Sequence, residues 1–516
     1  MFFDKTARDM DARAAQMVLS YQQEVGHEKQ PFIPTSDNIQ KLLDKIDREI
    51  DRAGEFEEAL WRNHFTGFLQ SFRFKVNLDR LLPYDFVARQ AKSLYSLIRS
   101  DPRPRRERES IIEARIEGIP AILNAVTELL PQVTEYRRGQ LRGALDALRT
   151  NLKLTAEWSE DDGASSNSRL IESALQACDE LQQSTEDCPL PEQGHQFELD
   201  DCLREGMQVP FDYIYSWYEE EVQRTRSRFL ELASAIDPKK DPMTILSECP
   251  QGFSSQEELF SETRRIIGYL RAAALNYVTL PEGESCDVIA TPEERKMSCP
   301  TAHYSGTSPL LDSLTGNVGL NVDNLSHFTL ANLEGTLSHE VYPGHHTHGV
   351  KTTASDLPLT FKIRLPGTRC LSEGVAHRSE TLMIPYFEDP IAELASAHRS
   401  YYCAYRVKAE VELYHHHKPK EEVMNTYIED LGTNEFSARG QLRAHMMFPA
   451  DAVSYYTGMK YLRELREDSS LSKSEFIDET FSYGKVTLET MSDILSLPTD
   501  KREALKKFYA DEKGSN

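Results

Sequence analysis

Residues 339–346 have the sequence HEVYPGHH, and this stretch decides how the chain is interpreted. In the common HExxH motif, two histidines four residues apart lie on one face of a helix, where they bind one zinc ion. Here His339 and Glu340 are followed by histidines six and seven residues after the first. On a regular helix, six residues turn by about 240° and rise by about 9 Å, so the side chains of His339 and His345 would not converge. His346 would lie near the correct face, but about 10 Å along the axis.

The histidines can meet only if the helix is deformed between them. Pro343 has no N–H to donate to the carbonyl group of His339, and its ring pushes that carbonyl away. Gly344 adds backbone freedom at the next position. We therefore predict a bulge that brings a second histidine back towards His339, and both His345 and His346 are open as that second ligand.

Two downstream glutamates fit this arrangement. Glu373 lies 28 residues after His345 in the helical segment LSEGVAHRSETLM. A helix-borne glutamate that follows the histidines by two dozen or more residues is typical of gluzincin metallopeptidases, and two histidines with one glutamate favour one zinc ion per chain. Glu380 lies seven residues later on the same helical face, and we predict that it orients a metal-binding histidine.

Further candidate residues lie on both sides of the motif. Arg443, in GQLRAHMMFP, carries a planar group that can bind a substrate carboxylate through two hydrogen bonds. His303 and Tyr304, in AHYSG, are predicted to line the site. Asn321 lies on a predicted edge strand, and such a strand beside a metal can hold an extended peptide through main-chain hydrogen bonds.

The rest of the sequence predicts a mainly α protein. Residues 1–200 show helical periodicity and are expected to form a helical N-terminal lobe. Residues 201–516 are expected to form a helical catalytic region, with a small β-sheet near residues 285–325, just before the histidine motif.

Charge and composition exclude several classes of partner. The 516 residues carry a formal net charge of −24, which argues against binding to nucleic acid or to an anionic membrane surface. The N-terminal residues lack the pattern of a secretory signal, and no apolar run is long enough to span a membrane. Eight cysteines form no CxxC pair, so we expect a cytoplasmic protein with reduced thiols.

Four motifs, in order along the chain, resemble those of the large family called domain of unknown function 885. LSHEVYPGHHTH (337–348) resembles its HExxPGHH signature, and SEGVAHRSE (372–380) resembles its EGWAxYxE segment. FPADAVSYYTG (448–458) resembles its PGQAxxYxxG segment, and GNVGLNVDN (316–324) resembles its strand that ends in asparagine. The family is similar to thimet-oligopeptidase-type and Taq-type carboxypeptidases. The resemblance therefore implies a large, bilobed, helical metallopeptidase fold with a channel and a small β-sheet beside the metal site.

The resemblance also assigns roles to individual residues. His339, His345 and Glu373 would bind zinc, since the glycine and histidine at 344 and 345 match the Gly-His of the shorter HExGH motif of those relatives. His346 remains the rival ligand.

Two further residues would take part in the chemistry that the resemblance implies. Glu340 would be the general base that takes a proton from zinc-bound water. Tyr455 would donate a hydrogen bond to the oxyanion that forms on the substrate.

The chain departs from the family pattern at four positions. The usual Gln after PGHH is His348, the Trp and Tyr of EGWAxY are Val375 and Arg378, and the Gln of PGQA is Asp451. We expect these positions to flank the substrate, and we count His346 and His348 among the predicted substrate contacts.

These observations predict a zinc-dependent hydrolase. The first hypothesis is a peptidase that cleaves short peptides, with carboxypeptidase action where an arginine binds the terminal carboxylate. The second is a metal-dependent enzyme that acts on a non-peptide small molecule, such as an amide-containing metabolite. The third is a non-catalytic binding protein on the same fold.

Overall fold

The structure, a computed structural model, describes most of the chain in two compact units. The described residues are 5–22, 31–133, 135–160, 168–189, 198–248, 252–292, 296, 301–306, 310–311, 313–447 and 450–510. The first unit is built mainly from residues 3–196, and the second from residues 197–309 and 314–516.

The described part of the first unit is helical. Its helices are α1 (Lys5–Gln22), α2 (Ser36–Gly54), α3 (Ala59–Leu81), α4 (Tyr84–Arg99), α5 (Arg105–Thr127), α6 (Glu135–Glu160) and α7 (Ser168–Asp187), with a 3-10 turn at Leu130–Gln132. The amphipathic pattern explains the packing of α2, for example. This helix buries Ile39, Leu43 and Ile46, which are spaced three or four residues apart on one face.

The second unit carries the histidine motif. Its helices are α8 (Leu199–Asp201), α9 (Phe211–Tyr215), α10 (Tyr218–Ile236), α11 (Pro242–Ser247), α12 (Gln256–Ala274), α13 (Leu330–Glu340), α14 (His345–Ala354), α15 (Leu359–Lys362), α16 (Arg369–Leu382), α17 (Ala392–Glu410), α18 (Lys420–Leu431), α19 (Glu435–Met447), α20 (Ser454–Glu467), α21 (Lys473–Ser482), α22 (Leu488–Ser496) and α23 (Thr499–Leu505). Short π-helical segments (Cys202–Met207 and Val411–His415) and 3-10 turns (Val322–His327, Pro366–Thr368 and Ile384–Tyr386) connect some of them.

A three-stranded sheet precedes the histidine motif. Its strands are β1 (Ser285–Ala290), β2 (Ala302–Gly306) and β3 (Thr315–Leu320), in the spatial order β1–β3–β2. β3 pairs in parallel with β1 and antiparallel with β2. The prediction of a mainly α fold with a small sheet is confirmed. The prediction that Asn321 lies on an edge strand is wrong, because it follows β3, which is the central strand.

Among the described residues, no helix has the length and apolar character needed to cross a membrane.

The core of the second unit is organised around α16. Nearly every residue of α16 is buried, and the helix packs against α13, α14, α17 and α20. It approaches α20 most closely where Gly374 faces Gly458. A Cβ on Gly458 would overlap the carbonyl oxygen of Cys370, and a Cβ on Gly374 would overlap the backbone of Gly458. The two glycines therefore allow backbone-to-backbone contact between the helices.

We predict that Gly458→Ala lowers the free energy of unfolding by about 1–3 kcal/mol, because the added methyl group forces α16 and α20 apart. Urea denaturation followed by circular dichroism measures this change. Gly440→Ala in α19 is the matched control, since a Cβ there meets no atom within 4 Å. Equal losses of stability in the two variants would contradict the steric explanation.

Candidate metal centre

The histidine motif lies at a break between two helices. α13 ends at Glu340 and α14 begins at His345, with a four-residue turn between them. The peptide bond between Tyr342 and Pro343 in this turn is cis. The sequence predicts a bulge within one continuous helix, and this prediction is corrected: the first helix ends completely and a second helix carries the next histidine.

Backbone contacts hold this turn against the helices on either side. A Cβ on Gly344 would overlap the carbonyl oxygen of His339, so the turn requires glycine at this position. The hydroxyl group of Ser379, in α16, donates a hydrogen bond of 3.1 Å to the carbonyl oxygen of Pro343. The turn is thereby fixed both to the end of α13 and to α16.

The break brings three potential metal ligands together. The Nε2 atoms of His339 and His345 lie 3.6 and 3.4 Å from the Oε2 atom of Glu373. One ligand atom from each of these residues lies within 4.8 Å of the other two. His339 and Glu373 are buried, and His345 is half-buried. These residues could hold a metal ion.

The electrostatics of this cluster favour a positive charge between the three side chains. Burial alone would raise the pKa of Glu373, but His345, His339 and Arg369 outweigh it and hold that pKa well below its usual value. Burial alone would lower the pKa of His339, but Glu373 and Glu380 outweigh it and raise that pKa to about 10. Oε2 of Glu373 is buried without a hydrogen-bond partner among the described residues, as a metal-binding oxygen would be.

Glu380 lies behind His339. Its Oε1 is 2.8 Å from Nδ1 of His339, and its Oε2 is 3.0 Å from Nε of Arg399. A carboxylate on Nδ1 fixes the imidazole orientation and directs Nε2 towards the cluster. This is the place that the sequence predicts for Glu380.

His377 is a neighbour that sequence reasoning missed. Its Nδ1 lies 3.2 Å from Oε1 of Glu380, one helical turn away in α16, and both residues are buried. The spacing of three residues in HRSE was the available signal, because residues three apart on a helix are neighbours. His339, His377 and Glu380 form a second group with ligand-like spacing. The Glu380 carboxylate already contacts Arg399 and both histidines, so this group orients His339.

Glu340, the predicted general base, ends the same helix that carries His339. The backbone N–H of Tyr304 in β2 donates a hydrogen bond of 2.9 Å to Oε2 of Glu340. Glu340 is half-buried and therefore accessible to solvent. The edge strand β2 thus holds one carboxylate oxygen of Glu340 beside the cluster.

Tyr455 lies in the first turn of α20, one turn before Gly458. Its ring stacks near that of His339, with 6.1 Å between centroids, and the guanidinium of Arg406 lies 5.3 Å from its centroid. The charge of Glu373, followed by burial, raises the pKa of Tyr455, so its hydroxyl group keeps its proton at neutral pH. The adjacent Tyr456 points elsewhere.

The structure does not bring His346 to the cluster. Its Nε2 lies 2.7 Å from Oε2 of Glu284, and its Nδ1 lies 3.1 Å from the hydroxyl group of Tyr304. Tyr342 donates a hydrogen bond of 2.5 Å to the same Glu284 carboxylate. His346 is fully buried in this network and does not belong to the group of converging ligand atoms, so its prediction as the rival metal ligand is corrected. A contact of His346 with the substrate stays a prediction.

Three of the four departures from the family pattern also have structural contacts within the protein: His348, Val375 and Arg378. Nε2 of His348 is 2.7 Å from the carbonyl oxygen of Gly484, and burial lowers the pKa of this histidine to about 3. Val375 is fully buried, and Arg378 donates a hydrogen bond of 2.7 Å to Thr480. These side chains therefore have structural contacts within the protein, and the expectation that they flank the substrate stays a prediction.

His303 and Asn321 have local structural contacts. The ring of His303 packs over Gly319, its partner in the β2–β3 pair, where a Cβ would overlap it. The side chain of Asn321 accepts a hydrogen bond of 3.3 Å from the backbone N–H of Asp323 and so caps the following 3-10 turn.

The arginines beside the cluster differ from the one that the sequence suggests. Arg443 is exposed on α19, and the structure does not bring it to Glu373. Instead, Arg364 and Arg369 place guanidinium nitrogens 3.7 and 3.9 Å from Oε1 of Glu373. Arg369 also forms an ion pair of 2.6 Å with Asp451, the remaining departure from the family pattern.

A family model with the description "Bacterial protein of unknown function (DUF885)" matches residues 14–495. The chain belongs to the DUF885 family. No curated protein matches the chain.

Two solved structures show the same fold. One is "the putative lipoprotein from Colwellia psychrerythraea", with a TM-score of 0.79 and 16% identity over 94% of this chain and 97% of the other. The second is "a putative lipoprotein of unknown function from Shewanella oneidensis", with a TM-score of 0.72 and 16% identity over 95% of this chain and 99% of the other. At this identity, the comparison describes the fold of this DUF885 member and not its activity.

We predict that Glu380→Gln weakens binding of a divalent metal ion about 10- to 100-fold, because the imidazole of His339 loses its charged partner. Calorimetric titration with zinc and with cobalt measures the affinity. Glu410→Gln is the matched control, since Glu410 forms a buried pair of 2.7 Å with Nδ1 of His445 away from the cluster. An equal loss of affinity in the control would indicate a general loss of structure and contradict the assigned role.

Proposed function

We propose that this DUF885 protein is a zinc-dependent hydrolase that cleaves short peptides. The observation that carries the proposal is the convergence of His339, His345 and Glu373, with Glu340 at the end of the helix that supplies His339. Two imidazoles and one carboxylate are the protein ligands of a known class of catalytic zinc sites.

The distances within the cluster support zinc. Ligand atoms about 2.0–2.1 Å from a tetrahedral zinc ion lie about 3.4 Å from one another. The two histidine nitrogens lie 3.4 and 3.6 Å from the carboxylate oxygen, a spacing that is too long for hydrogen bonds. When bound, zinc would act as a Lewis acid on a substrate carbonyl group and on water.

The residues around the cluster supply the proton transfers. Oε2 of Glu340 accepts the hydrogen bond from Tyr304, and we assign proton transfer to Oε1. Oε1 takes a proton from the attacking water and then delivers it to the leaving nitrogen. The hydroxyl group of Tyr455 donates a hydrogen bond to the carbonyl oxygen as negative charge develops there.

The proposal places the protein in the cytoplasm, acting on peptides and not on nucleic acid or membranes. Each cysteine in the described ranges is a free thiol, as expected in a reducing compartment. The net charge of −24 opposes binding to phosphate backbones. Recovery of the native protein with membranes would contradict this location.

We predict that zinc-loaded protein hydrolyses members of a panel of short peptides, and that Glu340→Gln lowers the rate at least 100-fold while zinc content is retained. Mass spectrometry of the products and elemental analysis of the same samples measure both quantities. Zinc binding without cleavage of any peptide would favour hydrolysis of a non-peptide amide. Turnover that persists in Glu340→Gln would contradict the assignment of Glu340 as the general base.

We also predict that Tyr455→Phe lowers kcat about 10²- to 10³-fold with little change in KM, since its hydrogen bond strengthens as charge develops in the transition state. Tyr456→Phe is the control, because the Tyr456 hydroxyl group donates to Glu221, 2.5 Å away. The assignment is wrong if Tyr455→Phe retains full kcat, or if both variants lose activity equally.

A further inference from the structure

An exposed arginine lies directly beside the buried glutamate of the cluster. Within residues 359–377, all of which the structure describes, Arg364 is the one exposed residue, and 51% of its side chain is accessible. Its Nη2 atom nevertheless lies 3.7 Å from Oε1 of Glu373. This is the oxygen of Glu373 opposite the one that faces the two histidines. Arg364 therefore lies at the boundary between solvent and the cluster.

The second arginine at this carboxylate lies deeper in the protein. Arg369 forms the 2.6 Å ion pair with Asp451 and is only 26% exposed in its side chain. Its positive charge is therefore matched by a carboxylate of the protein. Of the two arginines beside Glu373, Arg364 is therefore the more accessible to a ligand from solvent.

The charges around the cluster favour an anionic ligand. Four arginines and four carboxylates surround it: Arg364, Arg369, Arg399 and Arg406, and Glu340, Glu373, Glu380 and Asp451. These charges cancel, so a divalent cation held by the cluster adds a surplus of two positive charges. A guanidinium group binds a carboxylate through two parallel, charge-assisted hydrogen bonds, which add geometric selectivity to the attraction.

The spacing limits where that carboxylate lies on a peptide. Consecutive α-carbons are about 3.8 Å apart. Arg364 lies 3.7 Å from the same carboxylate group whose other oxygen faces His339 and His345. One α-carbon separates the terminal carboxylate of a peptide from its last peptide bond, so a carboxylate bound by Arg364 leaves the last peptide bond as the one nearest to the cluster.

We propose that Arg364 binds the free C-terminal carboxylate of the substrate, which makes the protein a carboxypeptidase that removes one residue at a time. This inference rests on the proposed peptidase function and names its substrate class. In the reaction, the last C–N peptide bond breaks. Water contributes its hydroxyl group to the carbonyl carbon and a proton to the leaving nitrogen, which releases one amino acid and a shortened peptide.

Binding of paired peptides tests the inference without turnover. Each member of a tripeptide panel is prepared as the free acid and as the C-terminal amide, and calorimetry measures its affinity for zinc-loaded Glu340→Gln protein. We expect the acids to bind about 10- to 100-fold more tightly than the amides. Adding Arg364→Gln should abolish this preference, while zinc content stays unchanged.

Two other arginines serve as comparisons. Arg439→Gln is the matched control, because Arg439 is exposed on α19 and pairs with Glu435 at 2.6 Å. It should leave the preference for acids unchanged. The sequence suggests Arg443 as the carboxylate-binding arginine, whereas the structure places Arg364 beside the cluster, and Arg443→Gln distinguishes the two. If Arg443→Gln loses the preference for acids and Arg364→Gln keeps it, the inference is overturned.

A second probe separates this inference from the proposed function. 3-Phenylpropanoate has a carboxylate and no peptide bond, and its binding should also depend on Arg364. If that dependence holds but wild-type protein cleaves no peptide, the peptidase proposal fails and the carboxylate site stands. If wild-type protein cleaves acids and amides equally, the peptidase proposal stands and the carboxypeptidase inference is overturned. It is also overturned if neither the peptide acids nor the probe bind.

Discussion

A carboxylate buried in a protein stays charged only where positive groups surround it. The site is therefore built around the requirement for positive groups on both oxygens of Glu373. The side chain is 5% exposed, and its two oxygens face different partners. Oε2 faces the imidazoles of His339 and His345, and Oε1 faces the guanidinium groups of Arg364 and Arg369. One buried charge thus contacts the proposed metal ligands on one side and the proposed carboxylate-binding arginine on the other.

Close backbone contacts place Glu373 where these partners can reach it. Gly374, the next residue in α16, meets Gly458 of α20, and this contact sets Tyr455 one turn away from the helix crossing. Gly344 allows the second helix of the histidine motif to begin against the end of the first. These glycines have no functional side chain, yet they determine whether the side chains of the cluster converge. A single methyl group at any of these glycines would separate the helices that carry those side chains.

The sequence predicts the class of fold and much of the site, for identifiable reasons. Helical periodicity and ordered motifs lead to a mainly α protein and to the residues that converge on Glu373. Periodicity does not decide between His345 and His346, because it describes a continuous helix and carries no signal for the break after α13. Local sequence patterns also do not indicate the order of strands in a sheet, so the prediction that Asn321 lies on an edge strand is wrong. Arg364 was missed because its proximity to Glu373 arises from a turn that no motif describes.

Elemental analysis of metal content tests whether His345 and Glu373 hold a zinc ion. The purified protein is compared with Glu373→Gln, His345→Gln and His346→Gln, after circular dichroism shows that each variant is folded. We expect about one zinc ion per chain in the wild-type protein and in His346→Gln, and loss of zinc in the other two variants. No zinc in the wild-type protein after reconstitution, or loss in His346→Gln with retention in His345→Gln, would contradict this expectation.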